Sequence, residues 1–219
     1  MKIGIIGAGN IGGNLTRRLT ALGHDVSVSN SRGPATLSTL AKETGATPVE
    51  VPDAARDAQV VIVTVPMKNV ADLPAGLFEH AAPGAVIIDT NNYYPRERDG
   101  RIDEIESGMA ESRWVSTQLG RPVVKAFNGI YAQDLLDRPT PPGTTGRRAL
   151  PIAGDDEAAK AVVMRLIDEL GFDPVDAGGL DDSWRQQPGT PAYGPDVDVD
   201  ALRGLLAAAD PERPAAFRG

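Results

Sequence analysis

The sequence predicts an α/β fold, in which helices cover both faces of a doubly wound, mostly parallel sheet. Short apolar runs alternate with stretches of helical periodicity, which indicates repeated βαβ units. Residues 60–65 are apolar at almost every position, as in a strand buried on both faces of a parallel sheet. A glycine-rich turn also separates the first predicted strand from the first predicted helix. These three observations together favour this fold class.

Each predicted element follows from its local pattern. Apolar runs predict strands at residues 2–6, 26–29, 60–65, 85–89, 122–126, 150–153 and 173–177. The helical spacing of apolar residues predicts helices at residues 11–22, 34–42, 155–170 and 198–209. Residues 178–195 are rich in glycine, proline and aspartate, which predicts a long ordered loop. Residues 211–219 are expected to fray.

The composition excludes several classes of function. The chain has 219 residues, with 22 basic and 30 acidic side chains, so its formal net charge is −8. This charge argues against a protein that binds nucleic acid. The absence of cysteine excludes disulfides, thiolate metal sites and cysteine nucleophiles. No apolar run approaches the length of about 18 residues that a membrane helix needs. We therefore expect a cytoplasmic protein with neither nucleic acid nor membrane as a partner.

The strongest motif is a glycine fingerprint between the first strand and the first helix. It has the form G-x-G-x-x-G and consists of Gly7, Ala8, Gly9, Asn10, Ile11 and Gly12. Gly7 permits a tight turn, Gly9 lets the backbone approach a pyrophosphate, and Gly12 lets the helix pack against the strand. The anion would rest on free N–H groups at the helix N-terminus. In this context the motif predicts a dinucleotide site, and the alternative is a glycine turn without a ligand.

The end of the second strand distinguishes between the two nicotinamide cofactors. NAD-binding proteins usually have an acidic residue there, which bonds to the ribose hydroxyls. This chain instead has Asn30, Ser31 and Arg32. A hydroxyl and a guanidinium would bind the 2′-phosphate of NADP, which an acidic side chain would repel. The sequence therefore predicts NADP(H), with Ser31 and Arg32 as phosphate contacts, and the alternative is a solvated turn.

With these residues, the chain resembles the NADP oxidoreductases that depend on the deazaflavin coenzyme F-420. The resemblance rests on the glycine fingerprint, residues 30–33 and Val65-Pro66, and it extends to about residue 180. Residues 123–128 are also similar to the reductase domain of the six-transmembrane metalloreductases, which passes hydride from NADPH to a flavin. The resemblance implies a Rossmann-type fold and hydride transfer between NADP(H) and coenzyme F-420.

The resemblance also implies where the two cofactors meet. The pocket would lie at the carboxyl ends of the strands, where the strand order reverses. The residues expected to contact the cofactor there are Thr64, Val65, Pro66, Met67, Asn91 and Ala126. Residues 89–95 and 184–194 depart from the family's pattern, which leaves the acceptor open. The alternatives are an NADPH-dependent reductase of a flavin, quinone or imine, and a non-catalytic NADP(H)-binding sensor.

Few side chains suggest acid–base chemistry. Direct hydride transfer needs proximity and orientation but no nucleophile, whereas a carbonyl or imine acceptor would also need a proton donor. Lys125 and Asn128 are the candidate catalytic residues, with Tyr93 and Tyr94 as further donors. The alternative is that Lys125 binds phosphate or solvent. No metal site is expected, because the alternating aspartates of residues 196–200 are typical of helix capping.

The length limits where a second substrate can bind. We predict a nucleotide-binding domain over residues 1–178 and a short C-terminal extension over residues 179–219. About 40 residues are too few for a separate substrate domain. We therefore expect the second substrate to bind on the nucleotide domain, under its last loop, or between the subunits of a homodimer.

Overall fold

A six-stranded parallel sheet forms the centre of the computed structural model, which describes residues 1–219. Its strands are β1 (Lys2–Ile6), β2 (Asp25–Ser29), β3 (Thr47–Pro48), β4 (Val60–Val63), β5 (Val86–Asp89) and β6 (Val124–Lys125). Their order across the sheet is β3-β2-β1-β4-β5-β6, so the chain starts near the middle and winds outward in both directions. This is the doubly wound order of dinucleotide-binding sheets, and it confirms the predicted fold class.

A second pair of strands extends the sheet beyond β6. The strands β7 (Ala149–Ile152) and β8 (Asp173–Asp176) pair with each other in parallel. Ala153, directly after β7, forms an antiparallel bridge with Lys125 through N–O distances of 2.8 and 3.1 Å. Because this bridge is antiparallel and all the other strand pairs are parallel, the sheet is mostly but not wholly parallel.

Helices pack on both faces of the sheet. They are α1 (Asn10–Ala21), α2 (Ser38–Thr44), α3 (Asp103–Glu106), α4 (Glu111–Leu119), α5 (Asp134–Asp137), α6 (Glu157–Glu169) and α7 (Val199–Ala207). Shorter 3₁₀ or π turns occupy Pro34–Leu37, Val51–Asp53, Met67–Asn69, Pro95–Asp99, Leu180–Gln186 and Ala215–Phe217. None of the helices combines the length and the apolar character that crossing a membrane requires.

Several predicted elements differ from those in the structure. The helix predicted at residues 34–42 begins as a 3₁₀ turn, and α2 starts only at Ser38. Residues 178–195 contain the 3₁₀ helix Leu180–Gln186 and are not one continuous loop. The apolar pattern does not predict α4, because two of its four buried residues, Glu111 and Ser112, are polar.

Both faces of the sheet are buried, as the continuous apolar runs predict. Val60 and Ile62 of β4 lie in one core of 24 buried residues, to which α1 and α6 contribute. Val61 and Val63 lie in a second core of 17 buried residues on the opposite face. Each such side chain stabilises the fold by about 1.5–3 kcal/mol when it leaves water. The two cores therefore fix the carboxyl ends of the strands in position.

The C-terminal segment packs against the outer strand pair. Leu202 and Leu206 of α7 form a third core with Ala149 of β7 and Val175 of β8. Asp198 is the N-cap of α7 and accepts a hydrogen bond from Ala201 N at 3.0 Å, which is the predicted capping role of this aspartate. The division of the chain between residues 178 and 179 stays a prediction.

The last residues are held in place, contrary to the expectation that residues 211–219 fray. Arg96 Nε donates to the carbonyl oxygen of Arg218 at 2.8 Å, and Arg213 Nη2 donates to Glu111 Oε1 at 2.8 Å. Glu111 is fully buried; burial raises the pKa of its carboxyl, and the Arg213 charge offsets part of this rise. Because these partners are 122 and 102 residues apart in sequence, no local pattern reveals them.

Candidate functional site

The glycine fingerprint forms the tight turn that its spacing predicts. Gly7 has a φ of +106°, a conformation that L side chains rarely adopt. A Cβ atom on Gly7 would lie 2.1 Å from the carbonyl oxygen of Thr64. A Cβ atom on Gly12 would lie 1.9 Å from the carbonyl oxygen of Gly7. Both positions therefore require glycine, the first for the turn and the second for the close packing of α1.

The N-terminus of α1 is open to an anion. Gly9 is the N-cap residue, so no side chain bonds to the first N–H groups, and the first turn has no acidic residue. A Cβ atom on Gly9 would have no other atom within 4 Å, and both Gly9 and Asn10 are exposed. This open cradle of backbone donors at the positive end of the helix dipole favours a phosphate. The residues present therefore fit the pyrophosphate of a dinucleotide.

Asn30 shapes the turn that presents the predicted phosphate contacts. Its Oδ1 accepts a hydrogen bond from Arg32 N at 2.9 Å, and its Nδ2 donates to Thr36 Oγ1 at 3.0 Å. The side chains of Ser31 and Arg32 are exposed at the end of β2. The Arg32 guanidinium forms no ion pair with an acidic residue of the chain. A free guanidinium beside a hydroxyl fits the 2′-phosphate of NADP(H).

Two cavities flank the glycine turn, and Arg32 lines both of them. The first cavity has a volume of about 580 Å³, and the predicted contacts that line it are Gly7, Ala8, Gly9, Asn30, Ser31, Arg32, Thr64, Val65 and Pro66. The second has a volume of about 600 Å³, lies between α1 and α2, and includes Asn10 and Arg17. Behind the turn, Ile11 packs against the first core. The structure thus brings the predicted phosphate contacts and the end of β4 together.

The residues at the strand ends differ in their access to the first cavity. Val65 N donates to Asn91 Oδ1 at 2.9 Å, which ties the loop after β4 to the loop after β5. Asn91 Nδ2 is buried and has no hydrogen-bond partner, which fits a site completed by a polar group of a cofactor. Met67 and Ala126 are fully buried in the two cores. Neither residue lines the two cavities, and the predicted contact of Met67 and Ala126 with the cofactor stays a prediction.

Lys125 lies in a buried polar cluster at the ends of β5 and β6. Its Nζ is 3.2 Å from Asp89 Oδ2 and also donates to the carbonyl oxygen of Asn91. Asp89 Oδ2 accepts a further hydrogen bond from Ser112 Oγ at 2.6 Å. The side chains of Lys125 and Asp89 have no exposed surface. The ammonium group is therefore enclosed by the protein, which favours a positioning role for Lys125, and its part in proton transfer stays a prediction.

Asn128 belongs to a second polar cluster, which also joins the loops after β5 and β6. Asn128 Nδ2 donates to Asn92 Oδ1 at 3.1 Å, and Asn92 Nδ2 donates to the carbonyl oxygen of Asn128 at 2.9 Å. Asn92 Nδ2 also donates to Tyr193 Oη at 3.3 Å, and the hydroxyls of Tyr94 and Tyr193 are hydrogen-bonded. Phe127 has a φ of +60°, which is uncommon for an aromatic residue. This turn directs the chain so that Asn128 meets Asn92.

Of the two neighbouring tyrosines in the loop after β5, Tyr93 is a structural residue. It is buried, its Oη donates to Glu106 Oε1 at 3.0 Å, and it accepts a hydrogen bond from Ile102 N at 2.9 Å. Burial raises the pKa of the Tyr93 hydroxyl to about 12. Tyr94 is only half-buried and pairs with Tyr193. Sequence reasoning does not identify this pair, although both tyrosines lie in the two segments that depart from the family's pattern.

A comparison with protein families identifies the first part of the chain. Residues 2–93 match the family model described as NADP oxidoreductase, coenzyme F420-dependent. The matched residues include the glycine turn, the exposed Ser31 and Arg32, and the Val65-Pro66 turn. All 15 residues that line the first cavity therefore belong to the matched segment.

Similar proteins extend the likeness to most of the chain. The hypothetical protein SMa0349 from Sinorhizobium meliloti is 35% identical, with a TM-score of 0.72 over 91% of this chain and 93% of that chain. A putative F420-dependent NADP-reductase from Arthrobacter sp. FB24 is 24% identical and shares the fold, with a TM-score of 0.69 over 82% of this chain and 86% of that chain. Metalloreductase STEAP3 of Rattus norvegicus is 28% identical over 180 residues, which are 82% of this chain and 34% of that protein. The chain spans less than two fifths of the length of the curated relatives it matches.

The fold, the site and the comparisons agree. In sheets with this strand order, ligands bind at the carboxyl ends of the strands where the order reverses, here β1 and β4, and the open helix N-terminus lies there. The family match covers the same residues, and the Sinorhizobium protein is similar over nine tenths of the chain. Residues 2–93 of the chain are therefore similar to the NADP oxidoreductase, coenzyme F420-dependent family, and this segment contains the candidate dinucleotide site.

Proposed function

We propose that this chain transfers hydride between NADP(H) and a deazaflavin acceptor of the coenzyme F-420 type. The observation that carries the proposal is the glycine turn with the unpaired Arg32, within the segment that matches the family model. When bound, NADP(H) supplies or receives a hydride, which carries two electrons, at its nicotinamide ring. The chemistry then requires the protein mainly to bring two flat ring systems together.

The residues of the chain would hold NADP(H) at both ends. The N–H groups around Gly9 would bind the pyrophosphate, and Ser31 and Arg32 would bind the 2′-phosphate. Val65 and Pro66 would contact the nicotinamide end, because they follow β4 on the side where the strand order reverses. These contacts fix orientation and proximity, which are the main requirements of direct hydride transfer.

The acceptor would bind beside the nicotinamide end, under the segment of residues 187–194. Gly129 allows this segment to approach the loop after β6. A Cβ atom on Gly129 would lie 3.4 Å from Gly194 N and 3.6 Å from the carbonyl oxygen of Ala192. The close approach covers the ends of β5 and β6, where the buried Lys125 and the Asn92–Asn128 pair fix the loops. This cover would limit the access of water to the reacting atoms.

A carbonyl or imine acceptor is the second candidate. The hydroxyl pair of Tyr94 and Tyr193 supports it as well as the deazaflavin acceptor, because the oxygen or nitrogen of a reduced carbonyl or imine must take up a proton. The same NADP(H) site would serve both reactions. The two candidates differ only in the molecule that oxidises NADPH.

We also propose a cytoplasmic location and a homodimer. The location is supported by the absence of cysteine, since chains of oxidising compartments often use disulfides. A second subunit could cover the acceptor at the open edge of the cleft. A mass of one chain, measured by light scattering during size-exclusion chromatography, would contradict the dimer. Recovery of the protein only in a non-cytoplasmic cell fraction would contradict the location.

Anaerobic NADPH oxidation with a panel of acceptors tests the proposed function. The panel contains F-420, FMN, FAD, a quinone and a cyclic imine, and NADH replaces NADPH in the control reactions. We expect turnover with F-420 and slower turnover with NADH. Turnover with FMN or the imine but none with F-420 would contradict the deazaflavin acceptor. Saturable binding of NADPH without turnover of any acceptor would indicate a sensor.

A further inference from the structure

The two segments that depart from the family's pattern meet at a pair of tyrosine hydroxyls. Tyr94 lies in the loop after β5, Tyr193 lies 99 residues later, and their Oη atoms are hydrogen-bonded. We propose that Tyr94 and Tyr193 act together as the hydrogen-bond and proton donor to the acceptor of the hydride. This inference rests on the proposed hydride transfer and adds to it the residues that select and activate the acceptor.

A count of hydroxyl protons shows that the pair has one donor to spare. Tyr193 Oη accepts a hydrogen bond from Asn92 Nδ2 at 3.3 Å. Between the two tyrosines, one hydroxyl donates and the other accepts, which uses one of their two protons. No protein group accepts the second proton. Both side chains are only half-buried, so the free O–H can reach a bound molecule.

The position of the pair suits the acceptor. Asn91, which holds the backbone of Val65 at 2.9 Å, is the neighbour of Asn92 in the loop after β5. Asn92 in turn bonds to Asn128 in the loop after β6 and to Tyr193. The loop after β5 therefore connects the predicted nicotinamide end of the cleft to the hydroxyl pair, through Asn91 on one side and its chain neighbour Asn92 on the other. An acceptor that extends from the nicotinamide along this loop would reach the hydroxyls.

The electrostatic setting keeps the pair protonated. Burial and the hydrogen bond shared with Tyr94 raise the pKa of the Tyr193 hydroxyl above its ordinary value. The Arg98 guanidinium lies 5.2 Å from the centre of the Tyr94 ring, and its charge is balanced by the buried Asp99 carboxylate at 2.9 Å. A neutral hydroxyl held in place stabilises negative charge that develops on an acceptor, and such fixed donors act most strongly where water is excluded.

The chemistry defines the class of acceptor. The hydride brings two electrons to a carbon of a conjugated C=N or C=O group, and NADPH becomes NADP⁺. The electron pair of the acceptor's multiple bond moves to its nitrogen or oxygen, which takes a proton from the free tyrosine hydroxyl. The hydroxyl regains a proton from solvent through its half-exposed partner. Deazaflavins, imines and carbonyls belong to this class, whereas one-electron acceptors do not need the donor.

Phenylalanine variants of both tyrosines test the donor role. We compare Tyr94→Phe and Tyr193→Phe with Tyr131→Phe, the matched control, because Tyr131 is 70% exposed and its hydroxyl has no hydrogen bond in the chain. With the acceptor that the wild type reduces, we expect kcat to fall about 10²-fold in the double variant Tyr94→Phe/Tyr193→Phe and to stay at the wild-type value in Tyr131→Phe. Each single variant keeps one free hydroxyl and should lose less. Binding of the reduced acceptor to the NADP-free protein should weaken roughly tenfold, and the Kd of NADPH should stay unchanged.

Each outcome decides the proposal. Wild-type kcat and wild-type affinity for the reduced acceptor in the double variant Tyr94→Phe/Tyr193→Phe would overturn the donor role and leave the proposed hydride transfer intact. A lower kcat with a wild-type solvent isotope effect and wild-type acceptor affinity would also overturn it, because the tyrosines would then only support the fold. No turnover by the wild type with any acceptor would overturn both proposals.

Discussion

Replacing Gly12 by alanine is expected to reduce kcat/KM for NADPH by about 10²-fold or more. The new Cβ atom would lie 1.9 Å from the carbonyl oxygen of Gly7 and 2.7 Å from Thr64 Cγ2, so α1 must move away from β1 and β4. The movement displaces the N–H groups that would bind the pyrophosphate. The strain should also lower the free energy of unfolding by about 1–3 kcal/mol. Steady-state kinetics and urea unfolding measure the two effects.

The next residue provides the control for this experiment. A Cβ atom on Gly13 would approach only the flexible end of Arg17, at 3.4 Å, and Ala8 O, at 3.9 Å. Gly13→Ala should therefore retain wild-type kinetics, and it should gain up to about 1 kcal/mol of stability from the helix propensity of alanine. If Gly12→Ala bound NADPH as the wild type does, or if Gly13→Ala lost binding equally, the glycine turn would not be the pyrophosphate site.

Replacing Lys125 by methionine should lower the free energy of unfolding by about 3–5 kcal/mol. The substitution leaves the fully buried Asp89 carboxylate with hydrogen bonds from Ser112 Oγ and Asn91 N but without a cation. It also removes the donor that holds the carbonyl oxygen of Asn91. Since domains are stable by only about 5–15 kcal/mol, the loss is a large fraction of the total. Urea unfolding of the variant and the wild type measures it.

The double variant Lys125→Met with Asp89→Asn separates structure from chemistry. It removes both buried charges, so most of the lost stability should return, as is common when a buried ion pair is replaced as a unit. If Lys125 only positions the loop after β5, the refolded double variant should retain kcat within about tenfold. If the double variant regained its stability but did not transfer hydride, the result would instead support Lys125 as a proton donor.

Features of the fold and the site that depend on one residue and its immediate neighbours in sequence could be predicted. Gly7 and Gly12 are required by the lack of space around their own backbone, and the continuous apolar run of β4 reveals both buried faces. Arg32 is informative because it replaces the acidic residue of NAD-binding sheets. For these features, the local sequence contains the whole physical cause.

Features that depend on distant partners could not be predicted. A lysine at the end of a strand can face solvent or a buried carboxylate, and the partner of Lys125 is 36 residues away. Tyr193 meets Tyr94 across 99 residues. The buried polar residues of α4 interrupt its apolar periodicity because they form hydrogen bonds with other elements. Ser112, for example, donates to Asp89 at the end of β5. In each case contacts with residues distant in sequence decide whether a polar side chain is buried, and the local sequence pattern does not reveal these contacts.

The central claim, that the open helix N-terminus and Arg32 bind NADP(H), is tested most directly by equilibrium binding of NADPH and NADH. The measurement compares the wild type with Arg32→Ala and with Arg165→Ala, an exposed arginine on α6 that serves as control. We expect the wild type and the control to bind NADPH more tightly than NADH. Arg32→Ala should lose NADPH affinity roughly 10- to 150-fold, which corresponds to the free energy of a charge-assisted hydrogen bond. Its affinity for NADH should be unchanged. Equal affinities for NADPH and NADH in the wild type, with no change in Arg32→Ala, would contradict the account.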